Sequence, residues 1–314
     1  MPHDEGGVVF VHAHPDDEAV ATGGVIARLV SEGIRVDLVT CTDGAEGEVH
    51  DPDLDSEEAR PRLAEIRRRE LACAVDALGD GAIRHHMLGF RDSGMMGTPS
   101  NDRPDAFWHV DLEPAATRLV EIVREARPVA IVSYDRNGNY GHPDHINAHR
   151  MARIAYDAAG DATRYPQAGD AHTVDRFYEI AFNREAWASL TAEMEARGIA
   201  TPWASGDTSA AEAAAAGEAS ERTGEASEGS DGEDEFGVPD SAITTRIDVA
   251  AFADRKRRAM ECHRTQRQDM GWLLELPDDL RSRALDSEHF VLTDRGSSPI
   301  PDGYREDHLV AGGS

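Results

Sequence analysis

Two short runs of this chain gather residues that can hold a metal ion and move a proton. The first reads His12-Ala13-His14-Pro15-Asp16-Asp17-Glu18 and the second Tyr140-Gly141-His142-Pro143-Asp144-His145, following an Asn137-Gly138-Asn139 turn. Two imidazoles and one carboxylate, with coordination positions left open for water, suit a divalent ion engaged in hydrolysis. His14 and Asp17 face each other across one turn and can reach the same ion, and His145 completes the set. Asp16 then lies beside the ion but points elsewhere, placed to take a proton from the water that the ion acidifies. A metal can lower the pKa of water from ~15.7 to about 7, so an ordinary carboxylate suffices as base. His142, if protonated, could stabilise an oxyanion or protonate a leaving nitrogen. Asp144 could orient it, and Tyr140 could donate to a substrate carbonyl. One His-Pro-Asp is an ordinary turn; two of them, each after a strand-like run, are more than a surface loop needs. His12 shares a strand face with His14 and reads as a packing residue or as support for a ligand. His149, one helical turn past His145, lacks the glutamate of an H-E-x-x-H pair and does not read as a ligand.

Residues so far apart in sequence meet only if the fold brings them together. Val8–His14, Arg35–Thr42, Ile83–Gly89 and Val129–Asp135 are short apolar, β-branched runs that predict strands. Glu18–Glu32, Glu57–Leu78 and Glu113–Ala126 carry apolar residues at helical spacing. Strand alternating with helix implies an α/β fold with a doubly wound, mostly parallel, Rossmann-like sheet. In such a sheet ligands bind outside the carboxyl ends of the strands, where both motifs fall. Ser241–Val249 predicts a further strand and Ala251–Met270 a helix.

Between Ser205 and Glu235 there are ten acidic residues and one basic, among Ala, Gly, Ser and Thr. Such a stretch buries too little apolar surface to offset its ordering entropy. Residues 204–240 are therefore expected to be a disordered acidic insertion, with 1–203 and 241–314 forming one catalytic domain. A net charge of −28 argues against nucleic acid and anionic membrane as partners. No run reaches the ~18 apolar residues of a membrane span, and the first residues lack the parts of a signal peptide, so a cytoplasmic location is expected. Cys41, Cys73 and Cys262 are widely spaced without a CxxC pair and read as buried thiols.

The motifs resemble those of the LmbE-like (PIG-L) de-N-acetylases, marked by AHPDDE after the first strand and a later HPDH. Thr42 to Glu48, Arg67 to Glu70, Arg91 to Thr98 and Tyr134 to His145 look like the actinobacterial mycothiol branch of that family. Lys256, His263 and Gln266 fit its tail pattern. The likeness covers most of residues 8–160, whereas 161–245 match poorly. It implies zinc on His14, Asp17 and His145, a base at Asp16, and oxyanion-side residues at Tyr140 and His142. It also implies sugar-inositol contacts from Arg67 and Asp92, with Glu48 nearby; Ala45 replaces an acidic residue often present.

The expected activity is hydrolysis of the acetamide of N-acetylglucosaminyl-inositol, a small amino-sugar substrate, to the free amine and acetate. Iron(II) also suits two histidines and a carboxylate. The rivals are a mycothiol S-conjugate amidase and a natural-product tailoring deacetylase. The amidase branch carries a lysine just after HPDDE, and Ala19–Gly24 offers none. A nucleotide-binding module is disfavoured because the first strand-to-helix turn, HPDDEAVATGG, lacks G-x-G-x-x-G and sets carboxylates where a pyrophosphate would lie. A structural zinc site would call for four protein ligands, usually with cysteines.

Overall fold

The computed structural model describes residues 6–51, 53–54, 56–201, 237–296 and 298–310. Seven strands form one sheet: β1 (Val8–His12), β2 (Val36–Thr42), β3 (Arg84–Phe90), β4 (Ala130–Ser133), β5 (Arg176–Ala181), β6 (Thr245–Asp248) and β7 (Ser287–Asp294). Their order is β3-β2-β1-β4-β5-β7-β6. The first five run parallel, and β7 lies antiparallel between β5 and β6. Every residue of β1, β2 and β4 is buried, as expected of parallel strands covered on both faces by crossover helices.

The chain leaves β1 toward β2 and β3 on one side, then returns to β4 on the other. The order therefore reverses between β1 and β4, and a crevice opens beyond their carboxyl ends. Both His-Pro-Asp motifs follow these two strands. The first leads into α1 (Asp17–Ala21) and α2 (Gly23–Ser31), and the second starts α5 (Pro143–Ala159). Pro143 occupies the first turn of α5, where its missing N–H costs nothing, and His142 caps it by accepting from the Asp144 amide. The remaining helices that matter here are α3 (Leu63–Gly79), α4 (Thr117–Ala126), α6 (Arg184–Ala196), α7 (Ala253–Cys262), α8 (Arg267–Glu275) and α9 (Asp278–Leu285).

The four strands expected in the first half are present. The helix expected over Glu18–Glu32 breaks at Thr22, whose φ of −137° is not helical. The helix expected over Ala251–Met270 is interrupted at His263, which ends α7. β5 and β7 were absent from the sequence expectation. Their charged and polar residues interrupt the apolar run, and they are recognisable as strands mainly because each covers the other. The thiol reading is corrected as well: Cys73 and Cys262 form a disulfide across 189 residues, and only Cys41 is a buried thiol. Packing of α7 on α3 creates that proximity, which no local spacing reveals. Of the disordered insertion expected over 204–240, residues 204–236 lie outside the described residues, whereas 237–240 are placed. From Gly237 onward the chain is anchored, with the Val238 amide donating to Phe182. Among the described residues no helix is long and apolar enough to cross a membrane.

Candidate metal centre

His14, Asp17 and His145 converge beyond β1 and β4. His14 Nδ1 lies 3.3 Å from His145 Nε2 and 3.5 Å from Asp17 Oδ2, and His145 Nε2 lies 3.5 Å from Asp17 Oδ1. The opposite nitrogen of each ring faces an atom that can only accept: His14 Nε2 is 3.2 Å from Asp144 Oδ2, and His145 Nδ1 is 3.2 Å from the Gly138 carbonyl. Both of those nitrogens must carry the proton. The nitrogens left facing each other, beside a carboxylate, repel as lone pairs unless a proton or a metal cation lies between them. Atoms bound at ~2.0–2.2 Å to one tetrahedral ion lie roughly 3.3–3.6 Å apart, so the observed spacing fits. Anchoring the second imidazole N–H on a carboxylate or carbonyl is the usual device for aiming a metal-binding histidine.

Electrostatics agree with a cation-seeking pocket. Burial lowers the His14 pKa, but the carboxylates of Asp92, Asp144 and Asp17 outweigh it and raise it well above the usual value. Burial opposes ionisation of Asp17, yet His145 and His14 hold its carboxyl well below the ordinary range. Burial pushes His145 down to about 4.

Asp16 sits beside this trio with φ 139° and ψ −31°, a conformation that a residue with a Cβ rarely adopts. Its Oδ2 lies 3.0 Å from Arg67, and its side chain keeps 17% of its surface exposed. Burial pushes its carboxyl up to about 7, against the pull of Arg67 and with the charge of Asp17 adding to the rise. His142 stands edge-on to His14, with centroids 4.5 Å apart. Burial, then His14 and His145, push its pKa down to about 3. Its Nδ1 accepts from the Asp144 amide, so in the neutral ring the proton is on Nε2. That neutral ring offers a donor, whereas the sequence reading tied the roles of His142 to its protonated form. Asp144 also differs from expectation. Its carboxylate serves His14 and the Ser93 amide, and only its backbone touches His142. Tyr140 closes the cluster, its ring 4.9 Å from that of His145. His12 bonds Thr22 and His149 bonds the Tyr134 carbonyl, so neither reaches the trio.

The PIG-L family, described as GlcNAc-PI de-N-acetylase, matches residues 9–156. The likeness to curated relatives extends much further. The 1D-myo-inositol 2-acetamido-2-deoxy-α-D-glucopyranoside deacetylase 1 of Catenulispora acidiphila is 40% identical over 97% of this chain and 88% of its own length. The deacetylase of the same description from Geodermatophilus obscurus is 40% identical over 97% of each chain. The chain belongs to the PIG-L de-N-acetylase family. Among solved structures, N,N'-diacetylchitobiose deacetylase from Pyrococcus horikoshii aligns with a TM-score of 0.55 at 18% identity, over 94% of this chain and 88% of that one. The 4-carboxy-2-hydroxymuconate hydratase of Pseudomonas putida KT2440 aligns with a TM-score of 0.56 at 16% identity, over 95% and 100%. Those two likenesses are of fold, and function has to be argued from the site.

The resemblance implies that Arg67, Asp92 and Glu48 face the substrate, and the structure divides them: Arg67 and Asp92 are buried, whereas Glu48 is exposed. Arg67 is 3% exposed. Its guanidinium donates to the carbonyls of Gly44 at 2.9 Å and Pro15 at 2.6 Å besides pairing with Asp16. A Cβ at Gly44 or Gly47 would stand 2.7 or 2.5 Å from Arg67, so glycine is needed for the loop to close over it. The Asp92 carboxylate accepts from the Glu46 and Gly94 amides and lies 3.7 Å from His14 Nε2. Glu48 projects outward and pairs with His50.

Tyr134 is the residue that sequence reasoning missed. Its hydroxyl accepts from the Ala13 amide and donates to Asp17 Oδ2 at 2.7 Å, while its ring stacks 4.1 Å from His145. The available signal was its position directly after β4, level with His12 of β1 in the strand register.

Proposed function

We propose that this chain is a zinc-dependent hydrolase that removes the acetyl group of N-acetylglucosaminyl-inositol, with His14, Asp17 and His145 holding the ion. The observation that carries the chemistry is the convergence of two imidazole nitrogens on one carboxylate, each ring fixed from behind. The substrate reading is supported by the described activity of relatives that match almost the whole chain. When bound, zinc supplies Lewis-acid polarisation of a carbonyl and makes water acidic near neutral pH.

The residues around it do the rest. Asp16 accepts the proton of the attacking water, and Arg67 and its own backbone geometry aim it. The Nε2–H of His142 and the Tyr140 hydroxyl donate to the amide oxygen as negative charge develops there. As the carbon–nitrogen bond breaks, Asp16 returns its proton to the departing nitrogen, giving acetate and a free amine. Tyr134 and Asp144 fix Asp17 and His14, so the ligands are placed before the ion arrives. Arg67 pairs with the base and Asp92 lies beside the ligand His14, so both support the site from within.

Acetate release from N-acetylglucosaminyl-inositol, followed with chelator-treated and zinc-restored protein, tests this reading. Release should stop on chelation and return with one zinc per chain. Undiminished release by metal-free protein would refute it.

A further inference from the structure

A strained residue persists only where its surroundings hold it. The Asp16 amide donates to Glu18 Oε2 at 3.0 Å. The other oxygen of Glu18, Oε1, lies 2.7 Å from His263 Nε2, a residue 245 positions away, and both side chains are wholly buried. His263 Nδ1 makes no hydrogen bond among the described residues, so the one hydrogen bond of this imidazole is to Glu18. Its location is fixed independently of that bond. The preceding residue, Cys262, is joined to Cys73 on α3. Thr265 bonds both oxygens of Glu70 on the same helix, by its amide at 2.8 Å and its hydroxyl at 2.6 Å. That helix also carries Arg67, the other hold on Asp16. The 262–266 segment and α3 therefore form one clamp that reaches the Asp16 peptide from one side and its carboxylate from the other.

We propose that His263 is a positioning residue for Asp16: it locks the Glu18 carboxylate that holds the Asp16 amide, and so aims the base from the distant carboxyl-terminal part of the chain. The inference rests on the reading of Asp16 as base. The physical cause is orientation, since displacing a catalytic group by about 1 Å can cost ~100-fold in rate. None of the three metal-binding side chains touches His263, so the metal should be indifferent to its loss.

The test compares wild type, His263→Ala, His263→Gln and Asp16→Ala, each loaded with zinc and assayed for kcat, KM and metal content. His263→Ala should keep one zinc per chain and a KM within about threefold, while kcat falls roughly 10–100-fold, the range typical when an orienting partner is lost. His263→Gln restores an N–H donor toward Glu18 and should recover most of that kcat. Should His263→Ala fail to fold, the double variant Glu18→Met/His263→Met removes both polar partners together, which avoids a lone buried charge. It should show the same loss in kcat with zinc retained. A folded His263→Ala or double variant with wild-type kcat overturns the proposal, as does one that has lost its zinc, or a His263→Gln no more active than the alanine. Asp16→Ala separates the two levels. If it keeps wild-type kcat, the base reading itself fails; if it is inactive while folded His263→Ala is fully active, only the role of His263 fails.

Discussion

At the scale of single residues, His14 and Asp16 stand two positions apart and are assigned opposite fates on mutation. His14→Ala removes a lone pair from the trio and should abolish tight zinc binding. Asp16→Ala removes no ligand atom and should leave the zinc in place while kcat falls by about 100- to 10,000-fold, the usual share of a general base. Metal analysis of both purified variants decides; equal loss of zinc in the two would dissolve the distinction. Tyr134→Phe should sit between them. It deletes the hydroxyl that bonds Asp17 at 2.7 Å, so zinc affinity should weaken by roughly 10–100-fold while the stacked ring remains. An unchanged affinity in a competition titration would show that Asp17 needs no such support. The ligand trio was legible in the sequence because residue type and spacing near two strand ends suffice to suggest it. The partners that orient it were not, because Tyr134, Gly138 and Ser93 act through bonds that exist only once the strands are in register. For the same reason Asp144 looked like a partner for His142, its near neighbour in sequence, when its carboxylate in fact faces His14 across the crevice.

At the scale of elements, the parallel half of the sheet was readable from its apolar runs, whereas β5 and β7 depend on each other and carry no strong pattern of their own. Two buried devices in these elements give measurable consequences. Asp37 lies inside β2, where burial raises its pKa but His86, Arg35 and Arg84 prevail and hold it below its ordinary value of 3.8. A carboxyl depressed by folding adds stability above its unfolded pKa and loses it as pH falls through the folded value. Asp37→Asn should thus be less stable than wild type at pH 6, and the difference should shrink below about pH 4. Urea titrations at pH 6 and pH 3 test this, and a gap that stays constant would contradict it. The Cys73–Cys262 bond closes a loop of 189 residues. Removing a native disulfide typically costs about 2–5 kcal/mol, so Cys73→Ser should unfold at lower denaturant while retaining zinc. An unaltered midpoint would mean that α3 and α7 hold together without it. Neither device could be read locally, since each joins elements that are distant in sequence.

At the scale of the whole molecule, a crevice opens where the strand order reverses, and residues far along the chain reach the elements beside it, as His263 does to Glu18. Composition alone supports the proposal that residues 205–235 are dispensable; their deletion should leave kcat/KM within about twofold, and loss of activity in a folded deletion variant would assign them a part in the site. The choice of substrate is the claim on which most else depends. The absence of a lysine in Ala19–Gly24 is the sequence feature that favours the acetyl substrate over the S-conjugate. The measurement that tests this most directly is a side-by-side determination of kcat/KM for N-acetylglucosaminyl-inositol and for a mycothiol S-conjugate, on one preparation with its zinc content known. Acetate release should be favoured by about 10–200-fold, the discrimination that a pocket differing by small apolar groups can provide. A preference for the conjugate, or no acetate release at one zinc per chain, would contradict the assignment.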